Sequence, residues 1–187
     1  YLIKEVSFGN DGSISKEKLE NCINSDLANN FGNLCQRVVA FTDKNLNLKI
    51  PNLYEFTKAD TEILNIYTSN YKNLIKEIDS QNLNNYMNFI QEQLFTANKY
   101  FNDQEPWNKK NDIKRLNSII YVSLELIRKI SILLYPVIPD TALKVLSLFN
   151  IEEKYIDFNT IKDHELLKKN TKINKISILF KKIDKND

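Results

Sequence analysis

The 187-residue sequence has few of the residues that build disulfide scaffolds or metal sites. It contains only two cysteines and one histidine. Cys22 and Cys35 fall in one predicted helix at a separation that no disulfide or metal motif uses, so we expect small buried thiols in a reducing, cytoplasmic compartment. The single histidine, His164, lies in a lysine-rich segment without a second candidate ligand beside it. The sequence therefore predicts no metal site.

The groups of a catalytic site are also missing. With three glycines in the whole chain there is no glycine-rich phosphate loop, and no nucleophile has a base beside it. The most apolar stretch, residues 119–134, is interrupted by Glu125, Arg128 and Lys129, which indicates a buried bundle helix rather than a membrane span. We therefore predict no catalytic residues in this chain and no membrane association.

Charge limits the kind of nucleic-acid binding that this chain can perform. A net charge of only +2 argues against binding over the whole surface, but it allows a small site that reads a few unstacked bases. Lysines become frequent toward the C-terminus, from Lys162 to Lys185. Because charge runs are usually solvated faces, we interpret this segment as a solvated tail.

Apolar spacing predicts an all-α bundle of about five helices. The first is a long amphipathic helix that Ser15 caps and that extends to Phe41, with apolar residues every three or four positions. The other four are predicted at about Asp60 to Ile78, Leu83 to Asp103, Asn111 or Asp112 to Leu134, and Asp140 to Leu148.

Two short segments outside the helices alternate like extended chain. A loose alternation near the start predicts an extended segment, which glycine and asparagine end in a turn. A second alternation near the end predicts a short strand that packs back on the N-terminal segment. The alternating residues are Leu2, Val6 and Phe8 in the first segment, and Ile176, Ile178 and Phe180 in the second. We expect a connecting segment (1–15), the helix bundle (16–150) and a C-terminal tail (151–187).

One candidate site combines three polar residues with the single tryptophan. Asn29, Asn33 and Arg37 are spaced four apart, so they share one helical face, off the apolar stripe. Amides offer donors and acceptors, a guanidinium offers a planar fork, and Trp107 follows Pro106 at the end of the third predicted helix. Such a set can read an exposed base, although a solvated polar face and a core tryptophan are the common alternatives.

Several blocks of the sequence resemble methionyl-tRNA synthetase. They are residues 1–15, residues 23–37 with Asn-Leu-Cys-Gln-Arg, residues 98–107 with Asn-Asp-Gln-Glu-Pro-Trp, and residues 130–146 with Leu-Tyr-Pro-Val-Ile-Pro. The resemblance covers nearly the whole chain, and its strength lies in the order and spacing of the blocks. The family has a proline after the phenylalanine where this chain has Lys181 and Lys182, which leaves the final turn undetermined.

The resemblance implies an anticodon-binding domain taken from a longer enzyme. The parent would attach methionine to tRNA(Met) with ATP and Mg²⁺, whereas this chain lacks both ATP-site signatures and is expected to be a catalytically inactive fragment without a cofactor. Its implied partners are the tRNA(Met) anticodon loop and the parent's catalytic domain, in a monomeric protein. By motif, Asn33 and Arg37 contact the anticodon and Trp107 stacks on a base, with Asn29 in support.

Two other functions are compatible with the same residues. One is the anticodon-binding domain of another class I aminoacyl-tRNA synthetase, since related enzymes share the helical architecture. The presence of Asn33 and Arg37 together with Pro106-Trp107 in one sequence argues against this alternative. The other is a helical module that docks a protein, with Trp107 as the main contact.

Overall fold

The computed structural model describes residues 1–7 and 9–183. Its α-helices are α1 (Leu2–Glu5), α2 (Lys16–Cys22), α3 (Asn33–Leu46), α4 (Lys58–Asp79), α5 (Leu83–Asp103), α6 (Ile113–Leu134) and α7 (Pro139–Leu148), with a π-helical segment, Ile23–Gly32, joining α2 to α3. Short 3₁₀ turns occur at Pro106–Asn108, Glu153–Tyr155 and Phe158–Lys162. The described residues form no β-strand, so the prediction of an all-α bundle is confirmed.

Local sequence signals explain where several of the helices begin. Thr57 and Asp60 form a capping box at the start of α4, and the Asp112 carboxylate accepts the Arg115 amide at the start of α6. Pro139 is the first residue of α7, where its missing amide hydrogen leaves no bond unmade. The sequence predictions for α4 to α7 therefore fall within about two residues of the structure.

The first long helix is continuous, as predicted, but it is not α-helical throughout. Ser15 caps it by accepting the Lys18 amide, and ten residues in its middle form the π segment. There the Asn33 amide donates to the Ala28 carbonyl, five residues back. A π turn widens the helix and is frequently found at functional sites. Asn29 therefore lies on π-helical backbone, whereas Asn33 and Arg37 lie on α3.

The prediction of an extended N-terminal segment is wrong for its first residues. Leu2–Glu5 form one helical turn, whereas the described residues from Val6 to Ser15 form no helix or strand and Val6 itself is extended. Tertiary contacts hold this turn: the Asn84 side chain donates to the Lys4 carbonyl at 2.7 Å, and the Lys4 ammonium pairs with Asp26 at 2.7 Å. Alternation along the sequence does not encode such contacts. Phe8, part of that predicted alternation, lies outside the described residues.

The predicted strand at Ile176, Ile178 and Phe180 is also wrong. None of these residues pairs with a strand in the described part of the chain. The β-bridge found in the tail joins Lys172 to Lys49 instead. Ile176 and Phe180 instead pack against the helical core, while Ile178 is exposed. Residues 184–187 of the predicted tail lie outside the described residues.

Helix α6 runs through the centre of the bundle, and its three charged residues are buried with it. Glu125, Arg128 and Lys129 are all fully buried. Arg128 donates to Glu125 at 2.6 Å and to the carbonyls of Thr160 and Asp163, while Lys129 donates to the Ile161 carbonyl at 2.6 Å and to that of Asp163. We call these three side chains the α6 clamp, because they tie the first part of the tail to the core.

The expectation of two small buried thiols holds for one of the two cysteines. Both cysteines are free thiols, but only Cys35 is fully buried, and Cys22 is half-buried. Within residues 1–7 and 9–183, no helix combines the length and apolar character needed to cross a bilayer.

Candidate nucleic-acid interface

The turn between α5 and α6 projects the single tryptophan from the surface. Glu105 adopts a left-handed backbone conformation with φ of 46°, which ends the run of α5, and the buried Pro106 anchors the 3₁₀ turn that follows. Proline cannot continue the helix because it lacks an amide hydrogen. Trp107 then stands at the tip, with 40% of its surface exposed.

A buried network fixes the two ends of this turn. The Asp60 carboxylate, fully buried on α4, accepts hydrogen bonds from the Arg115 guanidinium at 2.5 and 2.9 Å and from the Tyr100 hydroxyl at 2.5 Å. Arg115 also donates to the Gln104 side chain at 2.6 Å. Since Tyr100 and Gln104 end α5 and Arg115 begins α6, one carboxylate positions both helix ends that hold Trp107.

This network predicts a pH-dependent contribution to stability. Burial alone would raise the pKa of the Asp60 carboxyl, but hydrogen bonds from Arg115, Tyr100 and the Thr57 amide outweigh burial and lower it below 3.8. A carboxyl with a depressed folded-state pKa stabilises the fold above its unfolded pKa, and the contribution is lost as pH falls through the folded pKa. We expect Asp60→Asn to lower the free energy of unfolding by about 3 kcal/mol at pH 7.

The difference in the free energy of unfolding between Asp60→Asn and the unaltered chain should become smaller below pH 4. Thermal unfolding of both proteins at pH 7, 5 and 3 measures this, and Asp103→Asn, at an exposed carboxylate on α5, serves as the control. An equal gap at all three pH values would contradict the assignment of the stabilisation to the Asp60 carboxylate.

One aromatic ring links the predicted arginine to the predicted tryptophan. The Arg37 guanidinium carbon lies 5.3 Å from the centroid of the Phe101 ring, and the Phe101 and Trp107 centroids are 6.1 Å apart in an edge arrangement. Arg37 also donates to the Asn102 side chain at 2.5 Å. Arg37 and Trp107 therefore flank one buried ring on the same side of the bundle.

The two predicted asparagines border a separate cavity of about 420 Å³. Asn29 and Asn33 lie on one wall with Gln36, and the other wall is the C-terminal tail with Phe180, Lys181 and Lys182. Because Asn33 and Arg37 are four residues apart on α3, the cavity and the Arg37–Phe101–Trp107 cluster are neighbours on one helix face. Neither Arg37 nor Trp107 lines the cavity itself.

The tail packs against the first long helix at its single glycine. A Cβ atom on Gly32 would lie 3.4 Å from the Phe180 ring and 3.1 Å from the Leu27 carbonyl oxygen. Gly32 costs about 1 kcal/mol relative to alanine in a helix interior. It allows Phe180 to pack directly on the π segment, so the glycine marks a contact within the chain.

The structure adds residues that the sequence analysis had not placed in the site. Phe101 contacts both Arg37 and Trp107, and Lys181 and Lys182, which the charge pattern assigns to a solvated tail, line the cavity. Asn102 follows Phe101 in the segment that contains Trp107, so its position in the sequence was a usable signal. The tail residues gave no such signal, because no periodicity connects residue 180 with residue 32.

Comparisons with known proteins point in one direction. A family model described as "Anticodon binding domain of methionyl tRNA ligase" matches residues 50–187. A methionine–tRNA ligase of Thermotoga maritima is 34% identical over 189 residues, which cover 100% of this chain and 30% of that protein. One from Mycobacterium leprae is 36% identical over 166 residues, covering 86% of this chain and 31% of that protein.

Solved structures agree with the sequence comparisons. Free methionyl-tRNA synthetase of Mycobacterium tuberculosis gives a TM-score of 0.91 at 32% identity, over 98% of this chain and 38% of that chain. The same enzyme bound by methionyl-adenylate gives a TM-score of 0.89 at 33% identity, over 96% and 36%. The chain thus spans about 30% of the length of the curated relatives that it matches.

Proposed function

Because the chain belongs to the anticodon-binding domain family of methionyl-tRNA ligases, we propose that it binds the anticodon loop of tRNA(Met) with Asn29, Asn33, Arg37 and Trp107. The observation that carries the site is that Arg37 and Trp107 both contact the ring of Phe101. An exposed indole beside a guanidinium suits an unstacked base, which needs a flat surface and edge contacts together.

Each residue has a distinct role in the proposal. Trp107 stacks on one unpaired anticodon base, and Arg37, already oriented by Asn102, donates to the edge of that base or its neighbour. Asn33, one turn away on α3, contacts the adjacent nucleotide with an amide that can both donate and accept. Asn29 supports it from the π segment. In the described residues neither asparagine side chain has a hydrogen-bond partner, so both are available to a ligand.

The larger reaction belongs to the protein that would carry this domain. We propose that it is a monomeric cytoplasmic enzyme that attaches methionine to tRNA(Met), and that ATP and Mg²⁺ bind its catalytic domain rather than these residues. One relative has been solved with methionyl-adenylate, the activated amino acid. In the described residues no group of three or more His, Cys, Asp or Glu could hold a metal ion. This chain would contribute tRNA selection and orientation.

A titration of the chain with anticodon stem-loops tests the proposal. We expect saturable binding of a stem-loop with the anticodon CAU and weak binding of a loop with a scrambled anticodon. Preference for another anticodon would favour a sister synthetase. No binding of either loop at low salt would contradict the proposal and favour a protein-docking module.

Arg37→Ala should reduce discrimination between anticodons. A hydrogen bond from a charged donor contributes about 1.5–3 kcal/mol, so we expect the affinity for the CAU loop to fall by at least about tenfold. The affinity for the scrambled loop should change little. Lys44→Ala is the matched control, since it removes a cation from an exposed position of the same helix. An equal fall for both loops would mean that Arg37 does not read bases.

A further inference from the structure

Two lysines of the tail stand beside the predicted base-reading residues. Lys181 and Lys182 line the cavity that Asn29 and Asn33 border. Neither ammonium makes an ion pair or a hydrogen bond among the described residues. Among the described residues no aspartate or glutamate lines this cavity, so the described part of its wall carries two positive charges and no negative one.

Several other lysines of this chain are neutralised locally. The pairs include Lys4 with Asp26 at 2.7 Å, Lys99 with Asp103 at 2.5 Å, Lys169 with Glu165 at 3.0 Å and Lys175 with Asp43 at 3.0 Å. Lys175 belongs to the same tail as the two cavity lysines, so the tail is not merely a uniform run of free charge. Lys172, in the same tail, also makes no ion pair among the described residues, so Lys181 and Lys182 are distinguished by their place at the cavity.

The tail is fastened so that the two lysines keep their place. The Asn24 side chain donates to the Ile183 carbonyl at 2.9 Å and accepts the Ile183 amide at 2.8 Å. On the other side of the lysines, Phe180 packs over Gly32. Both anchors are on the π segment, which also carries Asn29. Lys181 and Lys182 are therefore held between two fixed points.

We propose that Lys181 and Lys182 bind backbone phosphates of the RNA strand whose bases lie against Asn29 and Asn33. The inference rests on the proposed function, and it identifies the ligand of the tail wall as the sugar–phosphate backbone. A lysine ammonium is a compact point charge that suits a phosphate, whereas the amides opposite suit base edges. The cavity then holds a nucleotide between a wall that reads bases and a wall that binds phosphate.

A phosphate contact differs from a base contact in its dependence on salt. Each phosphate neutralised on a single strand contributes about 0.7 to the slope of log affinity against log salt concentration. Removing both lysines should therefore lower the slope by about 1.4. Over a fourfold rise in salt, the advantage of the unaltered chain over the variant should shrink by about sevenfold. The preference for one anticodon should not change, because phosphates carry no sequence information.

The experiment compares the double variant Lys181→Ala/Lys182→Ala with the double variant Lys49→Ala/Lys172→Ala. The control also removes two exposed lysines, but these lie beyond the far end of α3, about 20 Å from Asn33 at 1.5 Å per residue. Binding of CAU and scrambled anticodon stem-loops is measured at 50, 100 and 200 mM salt. Circular dichroism verifies that both variants keep the helical content of the unaltered chain.

The outcomes separate this inference from the proposed function. We expect a smaller salt slope and unchanged anticodon preference for Lys181→Ala/Lys182→Ala, with the control close to the unaltered chain. Suppose that the unaltered chain shows anticodon preference, but that the cavity double variant and the control double variant have the same slope of log affinity against log salt concentration. The phosphate contact is then overturned and the proposed function stands. If the unaltered chain shows no anticodon preference, the proposed function itself fails.

Discussion

Trp107→Ala is expected to weaken binding of the CAU stem-loop by about ten- to a hundredfold. Stacking of one base on an aromatic side chain contributes about 1–3 kcal/mol, and about 1.4 kcal/mol is a factor of ten. The ring is 40% exposed and contacts Phe101 by its edge, so its removal uncovers the buried ring without opening the core. The loss should therefore appear in binding far more than in folding.

Two further variants test whether the loss of affinity comes from the aromatic face at position 107. Trp107→Phe keeps an aromatic face and should retain most of the affinity. Tyr135→Ala removes an exposed aromatic residue beyond α6 and should leave affinity unchanged. In the full enzyme, methionine-dependent pyrophosphate exchange should stay near normal with Trp107→Ala. A folded variant that lost this exchange but kept its tRNA affinity would contradict the proposed role.

Arg128→Met should have the largest effect on stability. It removes the guanidinium of the α6 clamp and leaves the Glu125 carboxylate buried without its ion-pair partner. Breaking a buried ion pair from one side costs about 3–5 kcal/mol, and for a chain of this size that lowers the melting temperature by about 10–15 °C. The carbonyls of Thr160 and Asp163 also lose a donor.

A second substitution separates the buried charge from lost packing. Glu125→Gln/Arg128→Met leaves no uncompensated carboxylate, while the glutamine can still accept the Leu167 amide that Glu125 accepts at 2.7 Å. We expect the double variant to recover part of the lost stability in thermal unfolding at pH 7. A double variant as unstable as the sum of two single variants would show that the ion pair is not the source of the effect.

Most of the helices could be predicted because residues next to their starts determine where they begin. Ser15, Asp112 and Pro139 mark helix starts through side-chain capping or a fixed φ, and apolar spacing identifies the buried faces. The charges of α6 show the limit of this approach. In the sequence they look like polar interruptions of an apolar stretch, whereas the structure buries all three side chains. Arg128 pairs with Glu125 within α6, and Lys129 donates to the Ile161 carbonyl of a distant segment.

The candidate site was predictable in part for the same reason. Spacing of four placed Asn33 and Arg37 on one face, and Pro106 placed Trp107 at a helix end. The contact between Phe180 and Gly32 could not be predicted, because the two residues are about 150 positions apart. The cavity wall formed by Lys181 and Lys182 follows from that contact.

The single tryptophan allows a direct test of the central claim, that an anticodon base stacks on Trp107 beside Arg37. Intrinsic fluorescence of the chain reports on this one ring, because the sequence contains no other tryptophan. Titration with the CAU stem-loop should quench the fluorescence saturably, with the same midpoint as binding measured by a labelled loop, and the scrambled loop should not quench at those concentrations. Tight binding of the CAU loop with unchanged fluorescence would contradict the account.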